Sequence, residues 1–184
     1  AVFQKGLYGG TSHFLEREFE RFGIECTVAS SQQAEDMEAC IKENTKIIYL
    51  ETPSNPLLSI TDIQAVAALA QRRGLISVID NTFASPVNQQ PASLGIDIVV
   101  HSATKYMGGH SDILAGAVAG KEELMKEVYQ TGLNFGGSLN ANTLYMLERS
   151  LKTIHVRVER SNDNAMELSH FLDTHPKVLQ VNYP

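Results

Sequence analysis

The segment LISVIDNTFASP, residues 75 to 86, begins with a run of apolar and β-branched side chains and continues as a polar cluster. The segment KIIYLETPSNP, residues 46 to 56, has the same two parts in the same order. Apolar runs this continuous are typical of strands that are buried on both faces, as in a parallel sheet covered by helices. The two segments therefore predict an α/β fold with a polar edge where the strands end.

Outward from these segments, apolar runs alternate with helical patterns. The segment 11–23 places apolar side chains at helical spacing and stops at Gly23, and the segment 61–74 starts with capping residues and stops at Gly74. This alternation predicts a mostly parallel sheet sandwiched by helices. The predicted strands are residues 25–29, 46–51, 75–80, 96–100 and 114–119.

The end of the chain has a different pattern. From Leu139 onward it is wholly helical, and the last residues, VLQVNYP (178–184), form a strand-like apolar run. We expect an α/β domain over residues 1–150, lacking its amino-terminal part. Over residues 151–184 we expect a long connecting helix and the truncated start of a carboxy-terminal domain. The chain starts without methionine, so we expect a piece of a longer protein.

Composition narrows the classes of partner. The 184 residues carry a net charge of −6 and no cluster of lysine and arginine, which disfavours nucleic acid and anionic membranes. No apolar stretch approaches the roughly 20 residues that cross a bilayer. Cys26 and Cys40 lack the spacing of a zinc site or a disulfide framework, which indicates reduced thiols. We expect a cytoplasmic protein that binds a small molecule, with no nucleic-acid or membrane partner and no bound metal.

Three polar clusters follow predicted strands: residues 51–56, 80–86 and 101–106. In open α/β sheets, ligands bind in the crevice outside the carboxyl ends of the strands, so all three clusters are expected to line one crevice. Asp80 ends a buried strand, where an unpaired charge is costly, and a cation is expected to face it. Lys105 could be that cation in a plain salt bridge, as in an unrelated α/β domain.

Two hydroxyls favour a different interpretation. Ser102 and Thr104 lie two residues apart just before Lys105, and hydroxyls beside backbone amides suit a phosphate group. An amine that forms a Schiff base, an acid that holds a pyridine nitrogen protonated and hydroxyls for a phosphate together describe a pyridoxal 5′-phosphate site. We therefore predict this cofactor.

Five motifs in order along the chain resemble those of the trans-sulfuration, or Cys/Met-metabolism, family of pyridoxal-phosphate enzymes. They are YGGT (8–11), ETPSNP (51–56), DNTFASP (80–86), SATKYMGGHSD (102–112) and RSLKT (149–153). The family includes cystathionine lyases and synthases, methionine γ-lyase and homoserine-ester sulfhydrylases. The resemblance implies the large domain of the fold-type I, aspartate aminotransferase-like class, and a homo-oligomer, a tetramer of two dimers, in the full-length protein.

The resemblance also implies the central roles. Lys105 would form the internal aldimine and move protons, and Asp80 would pair with the pyridinium nitrogen. Tyr8 would stack on the ring and assist as acid or base. The missing side chains of Gly9 and Gly10 would let the backbone bend closely around a flat ring. The alternative for Tyr8 is a core tyrosine beside a turn.

Further roles follow from the same motifs. Ser102 and Thr104 would bind the phosphate, and Asn55 would contact the cofactor hydroxyl and the substrate side. Glu51 and Thr82 lie in matching motifs with less defined roles, Thr82 being assigned to the cofactor site. Asn55 stands between serine and proline, so a simple turn is its alternative.

Two other ligand patterns are disfavoured near the lysine. His101, His110 and Asp112 have no familiar zinc spacing, and an amine inside a metal cluster would be repelled. The glycine pair at 108–109 lacks the arrangement of a phosphate-binding loop and is interpreted as a turn. The segment HVRVER (155–160) is interpreted as part of a surface helix.

The implied reaction is elimination or replacement at the β or γ carbon of sulfur amino acids such as cystathionine, methionine or homoserine esters. Carbon–sulfur lyase and trans-sulfuration transferase both stay open, because both routes use the same residues. The family's amino-terminal arm, upstream Gly-rich segment and carboxy-terminal domain have no counterpart in these 184 residues, and Ser150 stands where the family more often has glycine. The alternative is a non-catalytic, truncated or degenerate cofactor-domain fragment.

Overall fold

A computed structural model describes all residues, 1–184, and contains one six-stranded sheet. The strands lie in the order β2-β1-β3-β4-β5-β6; the first five run parallel and β6 pairs with β5 in the antiparallel direction. The predicted mostly parallel α/β fold is confirmed. The strands are β1 Val2–Phe3, β2 Thr27–Val28, β3 Ile47–Glu51, β4 Ile76–Asp80, β5 Ile98–Ser102 and β6 Gly116–Gly120.

Seven α-helices connect and extend the strands. α1 continues through a π-helical turn, Leu15–Phe19, and a 3-10 turn, Glu20–Phe22, and the whole segment ends where Gly23 takes a left-handed conformation. α3 ends in the same way at Gly74. The helices are α1 Gly9–Phe14, α2 Ala34–Glu38, α3 Ile63–Arg73, α4 Ser85–Asn88, α5 Glu122–Phe135, α6 Ala141–Leu151 and α7 Ile154–Asp173.

Each of the five predicted strands is present, with ends that differ from the prediction by no more than two residues. The structure adds β1, which the sequence pattern does not predict because a two-residue strand has no readable alternation. The prediction of a strand-like run over 178–184 is wrong: this segment pairs with no strand and has no regular structure. The predicted division near residue 150 stays a prediction; α7 contacts α4 of the sheet unit.

The main core lies on one face of the sheet, under α2 and α3. The prediction of strands buried on both faces is wrong for β3 and β4, where burial alternates along the strand. A smaller cluster of Phe3, Leu7 and Leu15 packs near Tyr49, where α1 and its extension cover the sheet. A third cluster consists of Ala103, Ile113 and Leu147. The fully buried large side chains of the main core are Val2, Met37, Ile48, Leu50, Val66, Leu69 and Ile79.

The strand order changes direction beside β1, and this positions the site. The chain moves outward from β1 to β2, then returns past β1 to β3 and proceeds through β4 and β5 on the other side. Such a switch point opens a crevice at the carboxyl ends of the strands. None of the helices combines the length and apolarity needed to cross a membrane.

Candidate active site

A cavity of about 250 Å³ opens at the carboxyl ends of β1, β3, β4 and β5. All seven residues predicted for the cofactor site line it, so the structure brings together side chains that are far apart in sequence. Four further residues complete the wall. The cavity is lined by Tyr8, Glu51, Pro53, Asn55, Asp80, Thr82, Phe83, Ser102, Thr104, Lys105 and Leu114.

Strand register produces this convergence. Glu51 lies beside Asp80 in the β3–β4 pair, and Asp80 lies beside Val100 in the β4–β5 pair. Because these strands are parallel, their last residues and the loops that follow them emerge at one edge. The polar clusters predicted at the strand ends therefore meet.

Asp80 and Lys105 face the same cavity but form no ion pair, since no nitrogen–oxygen distance between them falls within 4.0 Å. The Asp80 carboxylate accepts a hydrogen bond from the Thr82 amide at 2.9 Å, and no lysine or arginine of the chain pairs with it. The Lys105 amine makes no hydrogen bond within the protein. The plain salt bridge between these two residues is therefore wrong, and each is left for another partner.

Thr82 has a structural task besides lining the cavity. Its hydroxyl oxygen accepts a hydrogen bond from the Ser102 amide at 2.7 Å, which ties the loop after β4 to the end of β5. The Ser102 hydroxyl makes no hydrogen bond within the protein and stays available to a ligand. Thr82 therefore fixes the backbone from which the Ser102 hydroxyl projects.

Thr104 is held by hydrogen bonds with the backbone of Ala115. Its hydroxyl donates to the Ala115 carbonyl at 3.2 Å and accepts from the Ala115 amide at 3.0 Å, and its own amide donates to the same carbonyl at 3.1 Å. A phosphate that accepts from this hydroxyl would replace its bond to Ala115. Of the two predicted phosphate hydroxyls, the one on Ser102 is the freer donor.

The lysine lies in a compact turn. The Lys105 amide donates to the Ser102 carbonyl at 3.0 Å, and the Lys105 carbonyl accepts from the Gly109 amide at 2.7 Å. A Cβ at Gly108 would meet the Ala103 carbonyl oxygen at 2.9 Å, and Gly109 has φ of +74°. The glycine pair therefore allows the turn to close, as predicted.

Tyr8 precedes α1 and is 50% exposed. The alternative of a buried core tyrosine is therefore wrong. Its ring lies over Gly10, where a Cβ would meet the ring carbon Cε1 at 2.6 Å; a Cβ at Gly9 would meet nothing within 4 Å. Only the second glycine thus makes room for the ring.

Glu51 joins the two loops that carry Tyr8 and Asn55. The residue is only 5% exposed, and its two carboxylate oxygens accept from the Tyr8 amide at 2.8 Å and the Asn55 amide at 3.0 Å. Burial raises the pKa of the Glu51 carboxyl; the two amides oppose the rise, and nearby Asp80 adds to it. The Glu51 carbonyl accepts from the buried Gln4 side chain at 2.6 Å, which adds a third attachment.

Asn55 satisfies both interpretations of its motif. The Leu58 amide donates to the Ser54 carbonyl at 2.8 Å, so Asn55 lies inside a turn. The turn also brings Asn55 to the cavity wall. Asn55 is therefore both a turn residue and part of the cavity wall.

The histidines near the lysine occupy separate environments. His101 is buried in β5, where burial lowers its pKa and nearby Asp80 and the Asn81 backbone oppose this effect. His110 Nδ1 lies 2.7 Å from the Gly108 carbonyl oxygen, which can only accept, so this nitrogen carries the proton. The structure contains no group of three or more His, Cys, Asp or Glu placed to hold a metal ion.

Sequence reasoning missed the apolar part of the wall, which consists of Pro53, Phe83 and Leu114. Phe83 lies inside the polar cluster after β4, and an aromatic residue there was a readable signal for a surface that meets a flat ring. Leu114 offered no such signal, because it precedes a strand and its place in the wall depends on the turn before it.

The residues fit pyridoxal phosphate. An acid without a protein cation, an amine without a protein partner and a hydroxyl without a protein bond face one cavity of about 250 Å³. These are the three groups that complement a protonated ring nitrogen, an aldehyde and a phosphate. The half-exposed Tyr8 ring adds an aromatic surface.

Comparison with known proteins gives a concordant result. The family model described as Cys/Met metabolism PLP-dependent enzyme matches residues 1–184. The chain is 46% identical over 179 residues to cystathionine beta-lyase MetC of Bacillus subtilis, which covers 97% of the chain and 46% of the relative. It is 43% identical over 186 residues to L-methionine gamma-lyase of Porphyromonas gingivalis, covering 100% of the chain and 47% of the relative.

Solved structures share the fold. The cystathionine gamma-lyase of Lactobacillus plantarum, solved in complex with L-serine, superposes with a TM-score of 0.96 at 41% identity over 100% of the chain and 48% of that structure. The metB protein of Corynebacterium glutamicum gives a TM-score of 0.93 at 43% identity, with the same coverage. The chain spans about half the length of the relatives it matches.

Proposed function

Because the chain belongs to the Cys/Met metabolism family of PLP-dependent enzymes, we propose that it forms the cofactor-binding part of an enzyme acting on sulfur amino acids. The proposed reaction is elimination or replacement at the β or γ carbon of cystathionine, methionine or homoserine esters. The observation that carries this proposal is the single cavity shared by Asp80, Lys105 and Tyr8. A family match alone would leave open whether the chemical groups are present.

Bound pyridoxal phosphate supplies an aldehyde that captures amino groups and a cationic ring that accepts electrons from the substrate α carbon. We assign Asp80 to the ring nitrogen. Its carboxylate accepts a hydrogen bond from the Thr82 amide and forms no ion pair with a lysine or arginine, so its charge is available to hold a proton on that nitrogen. An amide in its place would provide no such charge.

Lys105 is assigned both covalent attachment and proton transfer. Its amine pairs with no carboxylate of the chain, so its reactivity is not spent on an ion pair. Whenever its amine is not attached to the cofactor, Lys105 would be able to accept the α proton and to deliver a proton farther along the substrate. β Elimination requires a base at the α carbon, and γ elimination requires proton transfer at both the α and the β carbon.

The remaining assignments follow the cavity wall. We assign the phosphate to the Ser102 and Thr104 hydroxyls, Asn55 to the cofactor hydroxyl and substrate side, and Thr82 to support of Ser102. We assign Tyr8 to cover the ring face and its phenol to exchange protons with the substrate. These are proposals from side-chain chemistry and from position around one cavity.

The finer properties are also proposals. Lyase and transferase chemistry use the same cavity residues, and the relatives named above differ in substrate and in the bond named, so we propose the class and not one substrate. A cytoplasmic location and a tetramer of two dimers stay predictions. An amino-acid substrate agrees with the names of the relatives.

Spectroscopy tests the cofactor assignment. The chain incubated with pyridoxal phosphate is expected to gain a visible absorption band that borohydride removes, and Lys105→Ala is expected not to gain it. A wild-type spectrum equal to that of free cofactor would contradict the proposal. Asp80→Asn serves as the second variant, because it keeps the amine while removing the charge assigned to the ring nitrogen.

Turnover separates the enzyme from the non-catalytic alternative. The loaded chain is assayed with cystathionine, methionine and a homoserine ester for release of pyruvate, 2-oxobutyrate, hydrogen sulfide or methanethiol. Release of any of these that depends on Lys105 supports the enzyme. A fully loaded chain without release favours a cofactor-binding fragment.

A further inference from the structure

Arg157 of α7 contacts the backbone directly after the lysine. Its Nη1 donates to the Tyr106 carbonyl at 2.8 Å, its Nη2 donates to the Ser150 carbonyl at 2.9 Å, and its Nε donates to the Thr153 hydroxyl at 3.1 Å. Arg157 is half-buried, and no carboxylate pairs with it. The segment interpreted as a surface helix thus contributes an arginine whose donors are used on backbone and hydroxyl oxygens.

The turn has the shape that admits this guanidinium. Gly109 has φ of +74°, and a Cβ there would overlap the Arg157 guanidinium. The Gly109 amide closes the turn on the Lys105 carbonyl at 2.7 Å. The guanidinium therefore packs against the same few residues that define the lysine backbone.

The residues before Lys105 and the residues after it are held by contacts with different parts of the fold. Thr104 is fixed to Ala115, just before β6, by three hydrogen bonds, and Ser102 is fixed by the Thr82 hydroxyl. None of these bonds involves α7. The backbone after Lys105 is instead held through Arg157, so the hydroxyl side and the side after the lysine are attached to different parts of the fold.

We propose that Arg157 is a positioning residue that fixes the Lys105 turn and thereby aims the amine into the cavity, an inference that rests on the proposed covalent role of Lys105. Arginine suits this task because its planar guanidinium presents five donors in fixed directions, whereas lysine presents a single ammonium on a flexible stem. Arg157 also connects the lysine turn to the end of α6 through Ser150. The orientation of the Lys105 amine therefore depends on how α6 and α7 pack.

Arg160 provides a matched control. It lies one turn farther along α7 and lines the same cavity of about 1050 Å³ as Lys105 and Arg157, next to the candidate site. Its side chain makes no hydrogen bond or ion pair within the protein. Arg160→Gln therefore removes the same charge from the same helix without removing a contact to the turn.

Two ligands distinguish the orientation of the Lys105 amine from the overall affinity of the cavity for the cofactor. Pyridoxine 5′-phosphate has the ring and phosphate but no aldehyde, so it reports on the cavity alone; pyridoxal phosphate reports on covalent attachment. Arg157→Gln is expected to slow attachment to Lys105 by at least about tenfold, because small misplacements of a reacting group are costly. Its affinity for pyridoxine 5′-phosphate is expected to be unchanged, and Arg157→Lys is expected to lie between Gln and wild type in attachment rate.

The outcomes are distinct. Equal losses of both ligands in Arg157→Gln, or attachment at the wild-type rate, would overturn the positioning role. If Arg157→Gln fails to fold, shown by thermal melting without ligand, the comparison is made with Arg157→Lys against Arg160→Gln. A wild-type chain that binds pyridoxine 5′-phosphate but never attaches pyridoxal phosphate would overturn the proposed role of Lys105 and this inference with it.

Discussion

Glu51 holds Tyr8 by its backbone: one carboxylate oxygen accepts the Tyr8 amide proton at 2.8 Å, although 43 residues separate the two in sequence. The other oxygen accepts from Asn55 at 3.0 Å. A buried acid that accepts two amides from two loops fixes both loops at once, since an unpaired buried amide costs about 1–3 kcal/mol. The position of Tyr8 therefore depends on a carboxylate that belongs to β3.

Glu51→Gln tests this dependence. The glutamine oxygen can accept only one of the two amides, and its NH₂ group would face the other donor, so we expect a loss of about 1–3 kcal/mol in the free energy of unfolding. Weaker cofactor binding is expected as well. Urea denaturation and absorption titration measure the two effects.

Glu43→Gln is the control, because Glu43 is exposed and makes no hydrogen bond.

The free energy of unfolding is also expected to depend on pH through Glu51. Burial raises the pKa of Glu51, so the stability tied to its protonated form is present below its ordinary value of 4.5 and is lost as pH rises through the raised value. Glu51→Gln is expected to lack this dependence, and an unchanged profile would contradict the assignment.

Gly10→Ala tests whether the position of the Tyr8 ring affects cofactor binding. The new Cβ would lie 2.6 Å from ring carbon Cε1, so the ring has to move away from its position in the cavity wall. Alanine also favours a helix over glycine by about 0.5–1 kcal/mol, so stability without cofactor is not expected to fall. Weaker binding of pyridoxal phosphate, measured by absorption titration, is the expected result.

Gly9→Ala is the matched control, because a Cβ there meets nothing within 4 Å. Both variants gain the same methyl group in adjacent positions of one helix. Equal cofactor affinity in the two variants would show that the position of the Tyr8 ring does not matter for binding.

Asp97→Asn tests the hydrogen bonds at the amino-terminal ends of β4 and β5, at the end of the strands opposite the cavity. Asp97 accepts from the Ser77 amide at 3.0 Å, the Ser77 hydroxyl at 2.9 Å and the Lys121 amine at 2.7 Å, joining β4 to the starts of β5 and α5. Burial would raise the pKa of Asp97, but these bonds outweigh it and the pKa is lowered. At pH 7 we expect Asp97→Asn to cost about 1–2 kcal/mol of unfolding free energy.

The sign of its pH dependence follows from linkage. Because the pKa is lower in the folded state, the stabilisation is present above the ordinary value of 3.8 and is lost as pH falls through the lowered value. Denaturation curves of wild type and Asp97→Asn should converge at acid pH. Asp163→Asn, at an exposed position without hydrogen bonds, is the control; a stability difference that persists in acid would show that the Asp97 charge is not its source.

Local patterns revealed the strands and the residues at their carboxyl ends. Asp80 and Lys105 each follow an apolar run, and parallel strands bring such ends together, so their meeting was predictable. The contacts that hold them were not. The reach of Arg157 to Tyr106, the two amides on Glu51 and the one-sided burial of β3 depend on packing between distant segments, which leaves no trace in local spacing.

We propose that Lys105 holds pyridoxal phosphate covalently across the cavity from Asp80. The most direct test is borohydride reduction of the loaded chain, followed by proteolysis and mass spectrometry of the peptides. We predict that the reduced cofactor is found on the peptide containing Lys105, and that Lys105→Ala carries none. Label distributed over other lysines, at the same level in wild type and Lys105→Ala, would contradict the account.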